Sequence, residues 1–240
     1  MNFSYSVKNK SRYILEEDSQ NFLEEIRNTC VSRVKIIPPN TIMWRAQMGH
    51  DTMPFYDHDI HIDDMLIPYP EKRMRPLPDS ASEGRANPKG IPCLYVASNK
   101  ETAMSEIRPW LSSVVSVASF SNLQELRVID FSKYHNGNLP FYFSEPDEDK
   151  KIEAVWTHID RAFSEPVTNS DQKSDYAPTQ IIAELIKSLG YDGIAFKSSL
   201  SDGLNLALFN LDSVNFKGCK LFTVNNIQLS FESSDDECYI

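Results

Sequence analysis

Gly84-Arg85-Ala86-Asn87-Pro88-Lys89-Gly90-Ile91-Pro92-Cys93-Leu94-Tyr95-Val96-Ala97-Ser98-Asn99-Lys100-Glu101-Thr102-Ala103-Met104-Ser105-Glu106 passes from a glycine-bounded polar turn through an apolar run into a helical segment with almost no spacer. Pro92 opens the run Cys93 to Ala97, which has the length and composition of a strand. Ser98, with Glu101 three residues on, reads as a capping box that starts a helix. Pro109 ends that helix soon afterwards. Glu106 is therefore expected about two turns into a helix that follows directly from the strand bearing Tyr95.

Working outward, Ile42 to Ala46 reads as a short strand that delivers Arg45, after Pro38-Pro39 has stopped whatever precedes it. Ser19 to Thr29 reads as a helix capped by Ser19, with Phe22, Leu23 and Ile26 on one face. Residues 50 to 83 hold five prolines, many charges and no sustained period, and read as a long excursion. Strands are expected at Val114 to Ser119 and Leu126 to Phe131, and helices from Asp149 to Phe163 and from Pro178 to Leu189, the latter closed by Gly190. Further strands are expected at Gly193 to Phe196, Leu204 to Phe209, Lys220 to Phe222 and Ile227 to Phe231. Strands outnumber helices and do not alternate with them, which argues for an α+β fold and against a doubly wound parallel sheet. The chain divides into an N-terminal extension at 1–34, a main domain at 35–213 interrupted by an insertion at about 50–83, and C-terminal strands with an acidic tail at 214–240.

Composition excludes several classes of function. The 240 residues are 41% hydrophobic and 24% charged, as in an ordinary globular chain that can bury one core. The net charge of −10 argues against nucleic acid as a partner, because phosphate contacts need a basic face and the one basic cluster, Lys72-Arg73-Met74-Arg75, is short. No apolar run approaches the roughly 20 residues needed to span a bilayer. Met1 to Ser6 lack the apolar core of a signal peptide, so a cytoplasmic location is expected. The four cysteines, Cys30, Cys93, Cys219 and Cys238, form no CxxC pair and read as free thiols. Cys93 has no histidine near it in sequence and reads as a strand residue, not a nucleophile.

Three side chains in the opening stretch suit one another chemically. An arginine at Arg85 can grip phosphate through two parallel hydrogen bonds. Tyr95 offers a flat face to a heteroaromatic ring. A carboxylate at Glu106 can hold a ribose hydroxyl or stabilise positive charge growing at an anomeric carbon. Together they describe a site for a nucleotide whose glycosidic bond is to be broken. Taken singly, each has a plainer role: Tyr95 as a core tyrosine, Glu106 on a solvated helix face, Arg85 as a surface charge.

The spacing resembles the signature of RES-domain proteins, a family named for an Arg, a Glu and a Ser: a Gly-Arg-x-Asn turn, a Tyr ten residues after the Arg and a Glu eleven further on. Trp44-Arg45-Ala46, Tyr176-Ala177-Pro178-Thr179-Gln180 with Ala183-Glu184, Gly190 to Ile194, Ser198-Ser199 and Asn205 to Phe209 resemble further blocks of that family, so that the likeness runs from about 35 to 213. The resemblance implies a mixed sheet core with flanking helices like that of ADP-ribosyltransferases. It implies NAD⁺ as a consumed substrate, with no separate cofactor, and a NAD⁺ glycohydrolase or phosphorylase of the kind found as toxins in toxin–antitoxin pairs. In that reading Arg85 grips phosphate or ribose, Tyr95 packs on nicotinamide, and Glu106 orients the ribose and stabilises an oxocarbenium-like transition state. Arg45 is a second phosphate contact, Asn87 organises the Gly-Arg turn, and Ser198, or Ser199 one register away, is the family serine. A protein antitoxin and self-association are expectations of the family. Two other functions stay open: transfer of ADP-ribose to a protein, and regulation by NAD⁺ binding without turnover.

The insertion carries His50, Asp51, Asp57, His58, Asp59, His61, Asp63 and Asp64 at spacings of no recognised metal site, and an acidic surface loop accounts for them equally well. Gln180 and Glu184 lie one helical turn apart, either reaching the site or orienting their helix.

Overall fold

The computed structural model describes residues 3–78, 80–134, 147–165 and 173–228. In chain order the elements are helices α1 (Phe3–Asn9) and α2 (Glu17–Thr29), strands β1 (Val34–Ile37), β2 (Ile42–Met48), β3 (Asp51–Asp57) and β4 (Ile60–Ile67), and helix α3 (Glu71–Met74). Strand β5 (Leu94–Ala97), helix α4 (Lys100–Glu106), strands β6 (Val114–Asn122) and β7 (Leu126–Asp130), and helices α5 (Glu148–Ser164) and α6 (Ala177–Ser188) follow. Strands β8 (Gly193–Lys197), β9 (Leu204–Leu208) and β10 (Val214–Thr223) complete the set. Eight strands form one mixed sheet in the order β1-β7-β8-β9-β5-β2-β6-β10. Its one parallel pair, β7 with β8, is bridged by α5 and α6, the kind of long crossover that parallel neighbours require. The fold is α+β.

Strand periodicity sorts side chains to the two faces. Ile194, Phe196 and Ala207 join a core with Ile26 of α2, Trp156, Ile159 and Phe163 of α5, and Ile182 and Ile186 of α6. Ala195, Leu206, Leu208, Leu94 and Val96, one residue out of phase, pack on the opposite face with Met43, Met74 and Phe120. Each such large apolar side chain contributes about 1.5–3 kcal/mol on burial. Tilted ring contacts tie α5 to the sheet: Phe131 to Phe163 at 4.8 Å and Phe163 to Phe196 at 5.7 Å. The Trp156 indole N–H donates to Thr29 Oγ1 at 3.1 Å, joining α5 to α2.

The structure corrects several local expectations. Helix α2 begins at Glu17 and encloses Ser19, which is buried and not a cap. The cap of α4 is Asn99, whose side chain accepts from Thr102 N, while Ser98 Oγ accepts from Leu204 N instead. Helix α1 had no sequence signal, being only seven residues long. The excursion at 50–83 holds a two-stranded sheet, β3 with β4, turned at His58 and Asp59, whose φ of 45° and 64° are those a two-residue hairpin turn demands. Strand β10 starts six residues before the expected Lys220, its pairing with β6 shifted near Gly218. Ile227 and Gln228 lie in no strand, and the rest of the expected last strand falls outside the described residues.

Candidate active site

Strands β2 and β5 share the register pair Trp44 with Ala97 and no other. Beyond it the sheet opens, and the Arg45 side chain spans the gap, its NH1 donating to Tyr95 O at 3.0 Å. A cleft of about 370 Å³ lies against this opening, lined by Trp44, Arg45, Gly84, Arg85, Tyr95, Ala103, Glu106, Tyr176, Phe196 and Asn205. A second cleft of about 400 Å³ shares Arg45 and Tyr95 with the first and adds Gln47, Arg73, Arg75, Ser80 and Ser82. Arg45 Nε is shielded from solvent and, among the described residues, has no hydrogen-bond partner. Burial pushes its pKa below the ordinary value, the nearby Cys93 and Tyr95 opposing the shift. A shielded guanidinium without a carboxylate is costly by itself and is suited to an anionic ligand.

The turn bearing Arg85 is held from several sides. Gly84 and Asn87 form an isolated bridge. Asn87 is buried, its amide donating to the carbonyls of Ser82, Pro88 and Ile91 while its Oδ1 accepts from the Tyr95 hydroxyl at 2.7 Å. That hydroxyl also accepts from Ala86 N at 2.9 Å. A Cβ on Gly84 would come within 2.6 Å of the same hydroxyl, so the close approach requires glycine. Gln180 Nε2 reaches in from α6 to the carbonyls of Gly84 and Asn87 at 3.0 and 3.1 Å. Gln180 therefore braces the turn, and Glu184 lines a different hollow beside Lys187. Arg85 NH1 donates to Phe163 O at 2.6 Å near the end of α5. The Tyr95 hydroxyl, thus locked, has its pKa raised chiefly by burial, and its ring is what it offers the cleft.

Glu106 is the last residue of α4, at the end of a helix where a negative charge is least favoured. Two donors offset this: Ser198 Oγ and Asn205 Nδ2 each reach Oε1 at 2.6 Å. Among the described residues Oε2 makes no hydrogen bond. Ser198 is buried, and Ser199, exposed, lines neither cleft. The segment carrying Ser198 is pressed against α4, for a Cβ on Gly203 would overlap Thr102 Oγ1. The first cleft thus gathers Arg45, Arg85, Tyr95 and Glu106, with Ser198 behind the carboxylate and Asn87 beneath the turn. Sequence reasoning gave Asn205 no separate role. Its signal was a lone polar residue in the apolar strand Leu204-Asn205-Leu206-Ala207-Leu208.

Cys93 is buried, its thiol donating to Leu208 O at 3.3 Å, and burial pushes its pKa from 9.0 up to about 12. It is a protonated thiol that lies immediately before β5, and not within the strand as the sequence suggests. Because the folded protein keeps a proton that the unfolded chain releases near pH 9.0, this contribution to stability is complete below that pH and is lost as pH rises towards about 12. The loss amounts to at most ~1.4 kcal/mol per pH unit. Urea midpoints measured across that window should fall less steeply in Cys93→Ser than in the parent, and parallel slopes would remove Cys93 from the alkaline transition.

Among the described residues, no group of three or more His, Cys, Asp or Glu side chains is placed to hold a metal ion, and no helix is long and apolar enough to cross a membrane. Cys30, Cys93 and Cys219 are free thiols, and Cys238 lies outside the described residues.

The family model of the RES domain matches residues 66–227. No curated protein matches the chain. Among solved structures, the crystal structure of the M. tuberculosis MbcT–MbcA toxin–antitoxin complex aligns over 88% of this chain and 94% of that chain, with 14% identity and a TM-score of 0.44.

Proposed function

The chain belongs to the RES-domain family, and on that footing we propose that it cleaves the nicotinamide–ribose bond of NAD⁺. The observation that carries this reading is the single cleft in which Arg45, Arg85, Tyr95 and Glu106 converge, with the carboxylate clamped through one oxygen and open at the other. Arg45 and Arg85 hold the phosphates or the adjoining ribose. The Tyr95 ring packs against nicotinamide. Glu106 Oε2 meets the ribose and stabilises positive charge as the bond to the anomeric carbon lengthens. Nicotinamide departs from a cationic ring as a neutral molecule, so no acid is needed at the leaving group and one carboxylate suffices where ordinary glycosidases use two.

The nucleophile that takes the anomeric carbon is water or inorganic phosphate. The second cleft supports phosphate: it meets the first at Arg45, and Arg73 and Arg75 line it. Arg75 is ion-paired with Glu71 at 2.8 Å and also donates to the Leu211 and Val214 carbonyls, so Arg45 and Arg73 supply the available positive charge of this cleft. By family the activity is that of a growth-arresting toxin held in check by a protein antitoxin.

Purified protein incubated with NAD⁺ should release nicotinamide, and adding inorganic phosphate should accelerate release and yield a phosphorylated ADP-ribose. Equal rates with and without phosphate, and plain ADP-ribose as product, make water the acceptor. Saturable NAD⁺ binding without nicotinamide release overturns the enzymatic reading in favour of a regulator. Label passing from NAD⁺ to protein redirects it to ADP-ribosyl transfer.

A further inference from the structure

The hairpin formed by β3 and β4 has no place in the chemistry above. Every residue from Thr52 to Leu66 is exposed, although the segment is rich in large apolar side chains: Phe55, Tyr56, Ile60 and Ile62 are 47%, 57%, 65% and 56% exposed. A lone two-stranded hairpin is marginally stable in water and gains stability when a further strand or a packed layer covers it. Apolar patches of this kind on a hairpin mark an interaction surface. We infer that this hairpin is a docking arm, and that its occupant is a basic, apolar strand of a partner protein laid along the outer edge of β4.

Charge selects the occupant. Between Arg45 and Lys72 the chain has no Lys or Arg, while it has Asp51, Asp57, Asp59, Asp63, Asp64 and Glu71. A second copy would set one acidic hairpin against another in a molecule of net charge −10, and like charges facing across strands are destabilising. The chain's own final stretch, Glu232 to Glu237, is acidic too. A strand carrying Lys or Arg opposite Asp63 and Asp64, with aliphatic residues between, answers both the charge and the exposed apolar surface.

Backbone chemistry selects the edge. Pro54 lies within β3 and has no N–H, which spoils the outer edge of that strand for pairing. The eight residues of β4, Ile60 to Ile67, contain no proline, and the Asp64 N–H is turned to the Asp63 carboxylate at 2.8 Å, which a pairing strand would displace. The hairpin leaves β2 at Gly49, whose N–H donates to Val114 O at the start of β6, so the exposed Trp110 and Leu111 lie just before the residue that anchors its base.

The test uses the full chain and a fluorescent eight-residue peptide of alternating Lys and Val, with a Glu/Val peptide as control. The Lys/Val peptide should bind saturably, weaken as salt is raised, and slow amide exchange at residues 60–67. Asp63→Lys with Asp64→Lys should weaken it about tenfold or more, and Leu66→Pro, whose N–H alternates to the same outer side as that of Asp64, the partner of Pro54, should abolish the protection. Because the arm stands apart from the sheet core, nicotinamide release and the unfolding midpoint should be unchanged in both variants, which separates loss of docking from loss of folding. Absence of saturable binding, equal binding of the Glu/Val peptide, or protection elsewhere overturns the proposal. Reversible dimerisation in sedimentation that the same variants abolish also overturns it, in favour of a second copy.

Discussion

Glu106→Gln should reduce nicotinamide release by about 10²–10³-fold while leaving the unfolding midpoint and NAD⁺ affinity close to those of the parent. Glutamine keeps the shape and still presents an oxygen to Ser198 and Asn205, both of which donate to Oε1. What it removes is the charge on the oxygen that faces the cleft. The loss should therefore fall on kcat, since the carboxylate is needed most as positive charge grows at the anomeric carbon. Ser198→Ala or Asn205→Leu should cost on the order of tenfold, because each leaves the charge in place and loosens its position. Full activity in a folded Glu106→Gln protein would remove this residue from the chemistry. Equal losses in all three variants would show that the clamp and not the charge is limiting.

Arg45→Met should have opposite effects on function and on stability. Its Nε is shielded and, among the described residues, unpartnered, and burial drives its pKa down, so the folded protein bears a cost for holding this charge. An apolar side chain of similar length removes the cost, and the unfolding free energy should hold steady or rise by about 1 kcal/mol. NAD⁺ affinity should fall by about 10²-fold or more, since the guanidinium is the one cation common to both clefts. Calorimetry of binding and urea unfolding on the same preparation check both halves. A destabilised variant that binds NAD⁺ normally would make Arg45 a structural strut, holding β2 to β5 through the Tyr95 carbonyl.

Much of the site was legible because its parts are local. The glycine turn, Tyr95 and Glu106 sit on consecutive elements, and their intervals are fixed by one strand and two helical turns. Asn205 and Gln180 were harder, because their partners lie 99 and 93–96 positions away and only the sheet order brings them together. The choice between Ser198 and Ser199 likewise needed the turn after β8, which buries one and exposes the other. The hairpin was missed for a different reason. Exposed on both faces, it has no polar–apolar alternation to betray a strand, and its turn uses His58-Asp59 where Asn-Gly is usual. The parting of β2 from β5 has no sequence signature at all, since residues on both strands remain strand-like.

The distance between Glu106 and its clamp also sets when the molecule becomes competent. A chain emerging from the ribosome presents Arg45, Arg85, Tyr95 and Glu106 first, yet β5 has no partner on one side until β9 appears, and Glu106 has neither of its donors until Ser198 and Asn205 have been made. At about 5–20 residues per second, the interval lasts several seconds or longer. A protein whose proposed activity drains NAD⁺ thus carries a delay in its own chain order: unfinished copies hold every reacting group and no assembled cleft, and a product truncated before residue 198 should be harmless.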